Sequence, residues 1–182
     1  MNNFNSDQDK ISDLITKLDN NDGSVREKAR SVLIDIGKEA VPALTKALTS
    51  KHEQLRWEAA KALVGIADPD SIPALIKSLQ DQSFDIRWLA AEALIAIGKE
   101  TIEPLLRAVI DQTNESFINE GAHHIITYLL PTLSQSAELK EILKPVKDAL
   151  DSSASRAAGT AAAVVALDQL KQIKEKQPKP EK

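Results

Sequence analysis

The sequence predicts an all-α protein, in which about five two-helix repeats stack into a right-handed α-α superhelix. Three stretches align on one another almost without gaps, because an arginine, a leucine and an isoleucine recur at matching positions. These residues are Arg26, Leu33 and Ile36, then Arg56, Leu63 and Ile66, then Arg87, Leu94 and Ile97. Upstream leucines keep the same interval, at Leu14, Leu44, Leu75 and Leu105. A period of about 30 residues is typical of repeats that bury their apolar faces only against their neighbours.

The composition agrees with helices packed on helices. Hydrophobic residues make up 42% of the 182 residues and aromatic residues only 3%, which predicts an aliphatic core. There is no cysteine, so disulfides, thiolate catalysis and cysteine-ligated zinc are excluded. Met1–Lys10 lacks the basic start and the apolar segment of a signal peptide, and no apolar run approaches the roughly 18 residues of a membrane span. We therefore expect a soluble, cytoplasmic protein.

The first repeat contains two predicted helices, at 9–18 and 24–36. The apolar stripe of the first helix consists of Ile11, Leu14, Ile15 and Leu18. Ser24 stands three residues before Glu27, which predicts a capping box at the start of the second helix. Gly37 is expected to end that helix, since glycine readily adopts the left-handed conformation found at helix C-termini.

Further predicted helices follow in pairs, at 41–49 and 53–66, at 72–80 and 84–97, and at 102–111 and 115–129. Pro42 lies near the start of the first of these, where its missing hydrogen-bond donor costs little. The segment GKEAVPAL recurs as ADPDSIPAL and as GKETIEPLL. The second copy replaces glycine with Ala67 and has one more residue between this position and the aligned leucine, Leu75, which accounts for the uneven spacing of the repeats.

The repeat pattern weakens after residue 111. Phe117 stands where the earlier repeats carry arginine, and Tyr128–Pro131 replaces the glycine turn. An extra loop is therefore predicted at 131–136. The last helix is rich in small residues from Arg156 to Ala163. It is interpreted either as a terminal capping repeat or as a smooth surface for a partner helix or self-association with another copy of the chain.

The predicted domain organisation is a single solenoid domain at 9–170, with regular repeats at 11–111 and degenerate repeats and a cap at 112–170. Residues 1–8 and the Lys/Pro-rich tail 171–182 are predicted to be disordered. The net charge is −4, although the tail carries five lysines against two glutamates. Such an acidic body argues against nucleic acid as a partner, because that binding depends on a basic surface. No membrane partner is expected either.

Two repeat units carry a resemblance to a known family. The segments AVPALTKALTSKHEQLRWEAAKALVGIADPD and SIPALIKSLQDQSFDIRWLAAEALIAIGKE resemble short HEAT-like repeats of the phycobilisome lyase type. The resemblance covers 11–111 well and continues in degenerate form over 112–170. It implies an armadillo-like α-solenoid. Relatives of this kind include bilin lyase subunits, phycobilisome degradation factors, iron-dependent deoxyhypusine hydroxylases and adaptors.

Equivalent positions form two rows across the repeats. The first row is an arginine ladder, Arg26, Arg56 and Arg87. Similar repeats hold such an arginine against a neighbouring acid or turn carbonyl. The ladder is therefore interpreted as structural, with Asp22 and Asp81 as its predicted acidic partners.

The second row is the candidate partner-binding site. It consists of Trp57, Lys61 and Val64, Trp88, Glu92 and Ile95, and Ile118. Helical spacing separates these residues from the core stripe, and in this architecture the second helices line a concave side. The row is interpreted either as packing between neighbouring repeats or as a groove that binds a protein segment, in which tryptophans are frequent hot spots.

Catalytic patterns are sparse. His52-Glu53 resembles the iron-binding His-Glu pairs of the hydroxylase relatives, but those proteins need several pairs on facing repeats, and the corresponding second-helix positions here hold Trp57-Glu58 and Trp88-Leu89. We therefore predict no catalytic residue, no metal and no cofactor. The expected function is a non-enzymatic scaffold that presents a concave groove to another protein. A bilin lyase-like or chaperone-like factor acting on phycobiliproteins is the alternative, and a deoxyhypusine hydroxylase-like oxidoreductase is the third reading.

Overall fold

The computed structural model describes residues 3–111, 117–133, 136–151 and 156–176, and side chains within slightly narrower limits. The described residues form α-helices and short turns, without a strand, so the predicted all-α fold is confirmed. The helices are α1 (Asn3–Lys17), α2 (Gly23–Ile36), α3 (Val41–Ala47), α4 (Glu53–Ile66), α5 (Ile72–Ser78), α6 (Phe84–Ile97), α7 (Ile102–Ile110), α8 (Ile118–Thr132), α9 (Ala137–Asp151) and α10 (Arg156–Lys176). None of the described helices is long and apolar enough to cross a membrane.

Two compact units are present, Met1–Ile97 and Gly98–Lys182. The first unit contains three helix pairs, and its second helices α2, α4 and α6 pack side by side. Leucines of the repeat register lie at its centre, since Leu33, Leu63 and Leu94 are fully buried. The predicted core register is therefore confirmed for these positions.

The ends of the second helices follow the predicted turn chemistry. Gly37 and Gly98 adopt φ angles of 74° and 92°, a region that strongly favours glycine. Ala67 takes the equivalent position of the longer turn, with φ 52° in the left-handed region. Each turn then continues as a short 3-10 helix, and Pro42 lies in the first turn of α3 as predicted.

The start of α2 differs from the prediction. The helix begins at Gly23, and its N-cap is Asp22, whose carboxylate accepts a hydrogen bond from the Ser24 backbone at 2.8 Å. The predicted capping box of Ser24 and Glu27 is therefore wrong. An aspartate at the N-cap, two residues before Ser24, accepts a hydrogen bond from an exposed backbone donor of the first turn.

The described residues of the second unit form four helices in a closed arrangement. Helix α8 packs against α7, α9 against α8, and α10 against both α9 and α7. The contact between α10 and α7 distinguishes this unit from successively stacked pairs, in which α10 would lie beside α8. It resembles instead the neighbour pattern of an up-and-down four-helix bundle.

The loop predicted at 131–136 is shorter in the structure. Helix α8 continues through Pro131 to Thr132, and 134–135 lie outside the described residues. Proline removes a backbone hydrogen bond here. Burial of Leu129 and Leu133 along the helix offsets that loss.

The small-residue helix α10 is covered from within its own unit. Ala163 and Ala166 are buried, and a Cβ placed on Gly159 would lie 2.8 Å from Leu150 Cδ2. Small side chains therefore allow α10 to approach α9 and α7 closely. The interpretation of this face as a surface for another copy of the chain is wrong for these residues, because the chain itself occupies it.

Both ends of the described chain are more helical than predicted. Helix α1 begins at Asn3, and α10 extends to Lys176, while 177–182 lie outside the described residues. Burial of Leu170 and an ion pair between Lys174 and Glu103 of α7 stabilise the end of α10.

Candidate functional site

The arginine ladder stabilises the turn before each second helix. In each of the three repeats that carry this arginine, its Nη1 atom donates hydrogen bonds to the backbone carbonyl oxygens five and six residues earlier. These bonds run from Arg26 to Asn21 and Asn20 at 3.1 and 2.7 Å, from Arg56 to Lys51 and Ser50 at 3.3 and 2.9 Å, and from Arg87 to Gln82 and Asp81 at 3.2 and 2.9 Å. These hydrogen bonds tie each arginine side chain to the backbone of the turn that precedes its helix.

The acidic partners of the ladder are only partly those predicted. Arg56 forms a bidentate pair with Asp81, at 2.7 Å from Nε and 3.1 Å from Nη2, so Asp81 is confirmed. Burial alone would raise the pKa of Asp81, but hydrogen bonds from Arg56 and the Ser83 backbone bring it below 3.8. Asp22 is not a partner of Arg26, because it caps α2 instead, and the Ser24 hydrogen bond lowers its pKa.

Glu58 is the partner that sequence reasoning missed. Its carboxylate is 2% exposed and accepts a hydrogen bond from Arg26 Nε at 3.0 Å and another from Arg30 Nη1. These three residues are called the Glu58 cluster below. The repeat alignment could have indicated that Glu58 is buried, because Leu89 holds the equivalent position of the next repeat and is buried. An acid in a buried row requires a cationic partner.

A pocket of about 610 Å³ lies over the Glu58 cluster, between α2 and α4. Trp57 forms one of its walls, and the Arg30 guanidinium lies 5.9 Å from the centre of the Trp57 ring, within cation–π range. The lining residues are Gly23, Arg26, Glu27, Arg30, Glu53, Gln54, Trp57, Glu58 and Asp85.

Helix α6 carries an exposed aromatic pair in the same unit. Trp88 is 45% exposed and Phe84 57% exposed, and their ring centres are 6.3 Å apart. Phe84 was missed by sequence reasoning, although its position one helical turn before Trp88 places both rings on one face. Trp57, Phe84 and Trp88 are called the aromatic face below. Asp85, which follows Phe84 in the sequence, lines the same pocket as Trp57.

The remaining members of the predicted binding row divide between the two units. Lys61 is exposed, and Val64, Glu92 and Ile95 are partly buried. Ile118 is only 4% exposed, and it belongs to the second unit. Its assignment to an accessible groove is wrong, because the apolar stripe of α8 that begins there, with Ala122 and Ile125, packs inside that unit.

A second pocket, of about 810 Å³, lies in the second unit between α7, α9 and α10. Glu103 forms ion pairs there with Arg107, at 2.7 Å, and with Lys174. Hydrogen bonds from Lys174 and then Arg107 lower the pKa of Glu103. The shared Glu103 carboxylate of α7 joins α10 to α7 through Lys174, which indicates a structural role.

The histidine of the His52-Glu53 pair makes a structural contact with the preceding repeat. His52 Nδ1 lies 2.5 Å from Asp19 Oδ2, which joins the start of α4 to the turn between α1 and α2 in the preceding repeat. Within the described part of the chain, no group of three or more histidine and acidic side chains is placed to hold a metal ion.

Several solved structures are similar to this chain. The structure of the complex of CpcE and CpcF, a phycocyanin lyase from Nostoc sp. PCC7120, matches at 25% identity with a TM-score of 0.49, over 86% of this chain and 96% of that chain. An engineered protein matches at 24% identity with a TM-score of 0.38, over 89% of this chain and 79% of that chain. A designed armadillo repeat protein matches at 20% identity with a TM-score of 0.39, over 91% of this chain and 87% of that chain.

None of the curated proteins compared with the chain matches its sequence. A family model does match, the one describing HEAT repeats, over residues 11–95 and again over 41–124. The two matches together span more than half of the chain and contain the arginine ladder and the aromatic face. The protein therefore belongs to the HEAT-repeat family.

Proposed function

We propose that this protein is a non-enzymatic scaffold that binds a segment of another protein on the second helices of its first unit. The binding surface would be the aromatic face, with Lys61, Val64, Glu92 and Ile95 beside it. The observation that carries the proposal is the exposure of Phe84 and Trp88, two large rings on one helix face beside a pocket that contains the only other tryptophan.

Exposed aromatic side chains favour binding for an energetic reason. Apolar surface that faces water gains free energy when a partner covers it, and tryptophan provides a large rigid area with few rotatable bonds. Contiguous exposed apolar surface on a soluble protein therefore marks an interaction site more often than a packing defect.

The helices that carry the aromatic face are held in place by ion pairs between repeats. The Glu58 cluster joins α2 to α4, and Arg56 of α4 pairs with Asp81 in the turn before α6. A surface whose supporting helices are fixed before binding loses less conformational entropy when the partner arrives.

The test is affinity capture from the source cell with the wild type and the Trp57→Ala/Trp88→Ala variant. We expect the wild type to capture a partner that the double variant loses. For the purified partner, each substitution should cost about 2 kcal/mol of binding free energy, or about 30-fold in Kd.

Tyr128→Ala is the matched control. Tyr128 is 57% exposed, like Phe84, but it lies on α8 in the second unit. It should retain the partner. Circular dichroism must show that both variants keep the helical content of the wild type. Capture of the same proteins by the wild type and the folded double variant would contradict the proposal.

A further inference from the structure

We infer that the partner segment is basic and places an arginine side chain in the pocket between α2 and α4. This inference rests on the proposed binding function and assigns the chemistry of the partner. Exposed carboxylates and the Trp57 ring both line this pocket. Its volume of about 610 Å³ is within the roughly 300–1,000 Å³ of ordinary ligand sites.

Three exposed carboxylates surround the pocket, one from each second helix of the unit. They are Glu27 of α2, Glu53 of α4 and Asp85 of α6, and they are called the acidic rim. None of the three forms a hydrogen bond or salt bridge with another residue of the described part of the chain. Glu53 does contribute to the raised pKa of Arg56, but that guanidinium is already paired with Asp81.

The arginines of the pocket do not cancel this negative charge. Arg26 and Arg30 both bind the single carboxylate of Glu58, so the Glu58 cluster keeps one net positive charge. With the acidic rim, the pocket lining carries four carboxylates and two guanidinium groups. The resulting formal charge of −2 favours a cation over an anion.

The aromatic face adds a reason to expect arginine in particular. Guanidinium groups stack on indole rings and bind carboxylates in a bidentate manner, whereas an ammonium group is a compact and strongly hydrated charge. Arg30 already lies over the Trp57 ring, which shows that this wall suits a guanidinium. The methylene stem of an incoming arginine would cover apolar surface of Trp57, the aromatic residue that lines the pocket.

The first test measures the binding of three labelled peptides by fluorescence polarisation. The peptides have the same length and share one aromatic residue, and their variable positions hold arginine, glutamine or glutamate. We expect the arginine peptide to bind at least about tenfold more tightly than the other two. Its affinity should fall when ionic strength rises from about 0.05 M to about 0.5 M, because screening weakens exposed charge pairs.

The variant that tests the site is Glu27→Gln/Glu53→Gln/Asp85→Asn. It should weaken binding of the arginine peptide at least about tenfold while the thermal transition stays near that of the wild type. Glu120→Gln/Glu141→Gln/Asp148→Asn is the matched control, since it removes the same number of exposed carboxylates from the second unit. Equal binding losses in the two triple variants would overturn the inference, because only net charge would then matter.

The outcomes separate this inference from the proposed function. If the glutamine or glutamate peptide binds more tightly than the arginine peptide, the partner is not basic and the inference is overturned. If Trp57→Ala/Trp88→Ala then abolishes that binding, the aromatic face remains a binding surface. Failure of the arginine peptide to bind would also overturn the inference. Binding that needs the acidic rim but not the tryptophans would support the charged pocket and contradict the aromatic face.

Discussion

Acidic side chains of the first unit have different roles according to what they contact. Asp22 caps its own helix, Asp81 pairs with Arg56 of the preceding repeat, and Glu58 binds two arginines of the preceding repeat. The second and third of these contacts cross between repeats. In a repeat protein, stability depends strongly on such interfaces, because each unit buries its apolar face only against a neighbour.

The pair of Asp81 and Arg56 is expected to contribute measurable stability. Asp81→Ala should lower the free energy of unfolding by about 1.5–3 kcal/mol near pH 7, since it removes charged hydrogen bonds from a partly buried site. Denaturant unfolding followed by tryptophan fluorescence measures this change in the first unit, which contains both tryptophans.

The effect of Asp81→Ala should depend on pH in a defined direction. The pKa of this carboxyl is lowered below 3.8 in the folded state, so its stabilisation is present above the unfolded pKa and is lost as the pH falls through the folded value. The difference between wild type and variant should therefore shrink below about pH 4. Asp35→Ala, at an exposed site of α2, serves as the control and should stay within about 0.5 kcal/mol. A difference that grew on acidification would contradict the assigned pair.

Second helices end in two kinds of turn. Gly37 and Gly98 adopt positive φ with strongly negative ψ, −131° and −140°, a combination rarely open to other residues. The longer turn after α4 instead places Ala67 at φ 52° and ψ 38°, which a non-glycine residue tolerates at some cost. The inserted residue thus permits an alanine where the shorter turns require glycine.

Two exchanges at these turns should have opposite effects. Gly37→Ala should lower the free energy of unfolding by about 1–3 kcal/mol. Its added methyl group would meet nothing within 4 Å, so the cost would come from the backbone alone. Ala67→Gly should raise the free energy of unfolding by up to about 1 kcal/mol, because relief of the left-handed strain exceeds the entropy cost of glycine. Tryptophan fluorescence in denaturant measures both changes, and shifts of the same sign would contradict this account of the turns.

The two units of the whole molecule use helix pairs differently. In the first, second helices pack side by side, so aromatic residues at one register position share a surface. In the second, α10 returns to α7, so the apolar stripe of α8 and the small residues of α10 are buried inside. A repeat position therefore predicts exposure only where the packing of the repeats is maintained.

The closure of the second unit depends on the small side chains of α10. Ala163→Leu should weaken this packing by about 1–3 kcal/mol, because Ala163 is fully buried and has no room for added methylenes. Hydrogen exchange should show lower protection of α7 and α10. Ala161→Leu is the control on the exposed side of the same helix, where the change should stay within about 0.5 kcal/mol. Similar protection in both variants would contradict the packing of α10 on α7.

Much of the fold of the first unit could be predicted from residue spacing. The helix boundaries of α4 and α6 and the glycine turn after α2 follow from local periodicity and backbone preferences, which act within a few residues. The start of α2 was missed because Asp22 and Ser24 are both good caps, and only the local geometry chooses between them.

Less of the candidate site could be predicted. The row through Trp57 and Trp88 was visible as a repeat, and the position of Phe84, one helical turn before Trp88, was also visible in local spacing. The burial of Ile118 and the role of Glu58, in contrast, depend on which helices meet across the chain. Long-range contacts of this kind are not encoded in the spacing of a single segment.

The sequence by itself therefore determined the all-helical repeat, its period, the turns that reverse the chain and the row in which both tryptophans stand. Only the tertiary structure decided which members of that row face solvent, which acids pair with Arg26 and Arg56, and that α10 closes on α7. The physical reason is that periodicity and backbone preference are local, whereas burial and ion pairing depend on neighbours brought together from about 30 residues away or further along the chain.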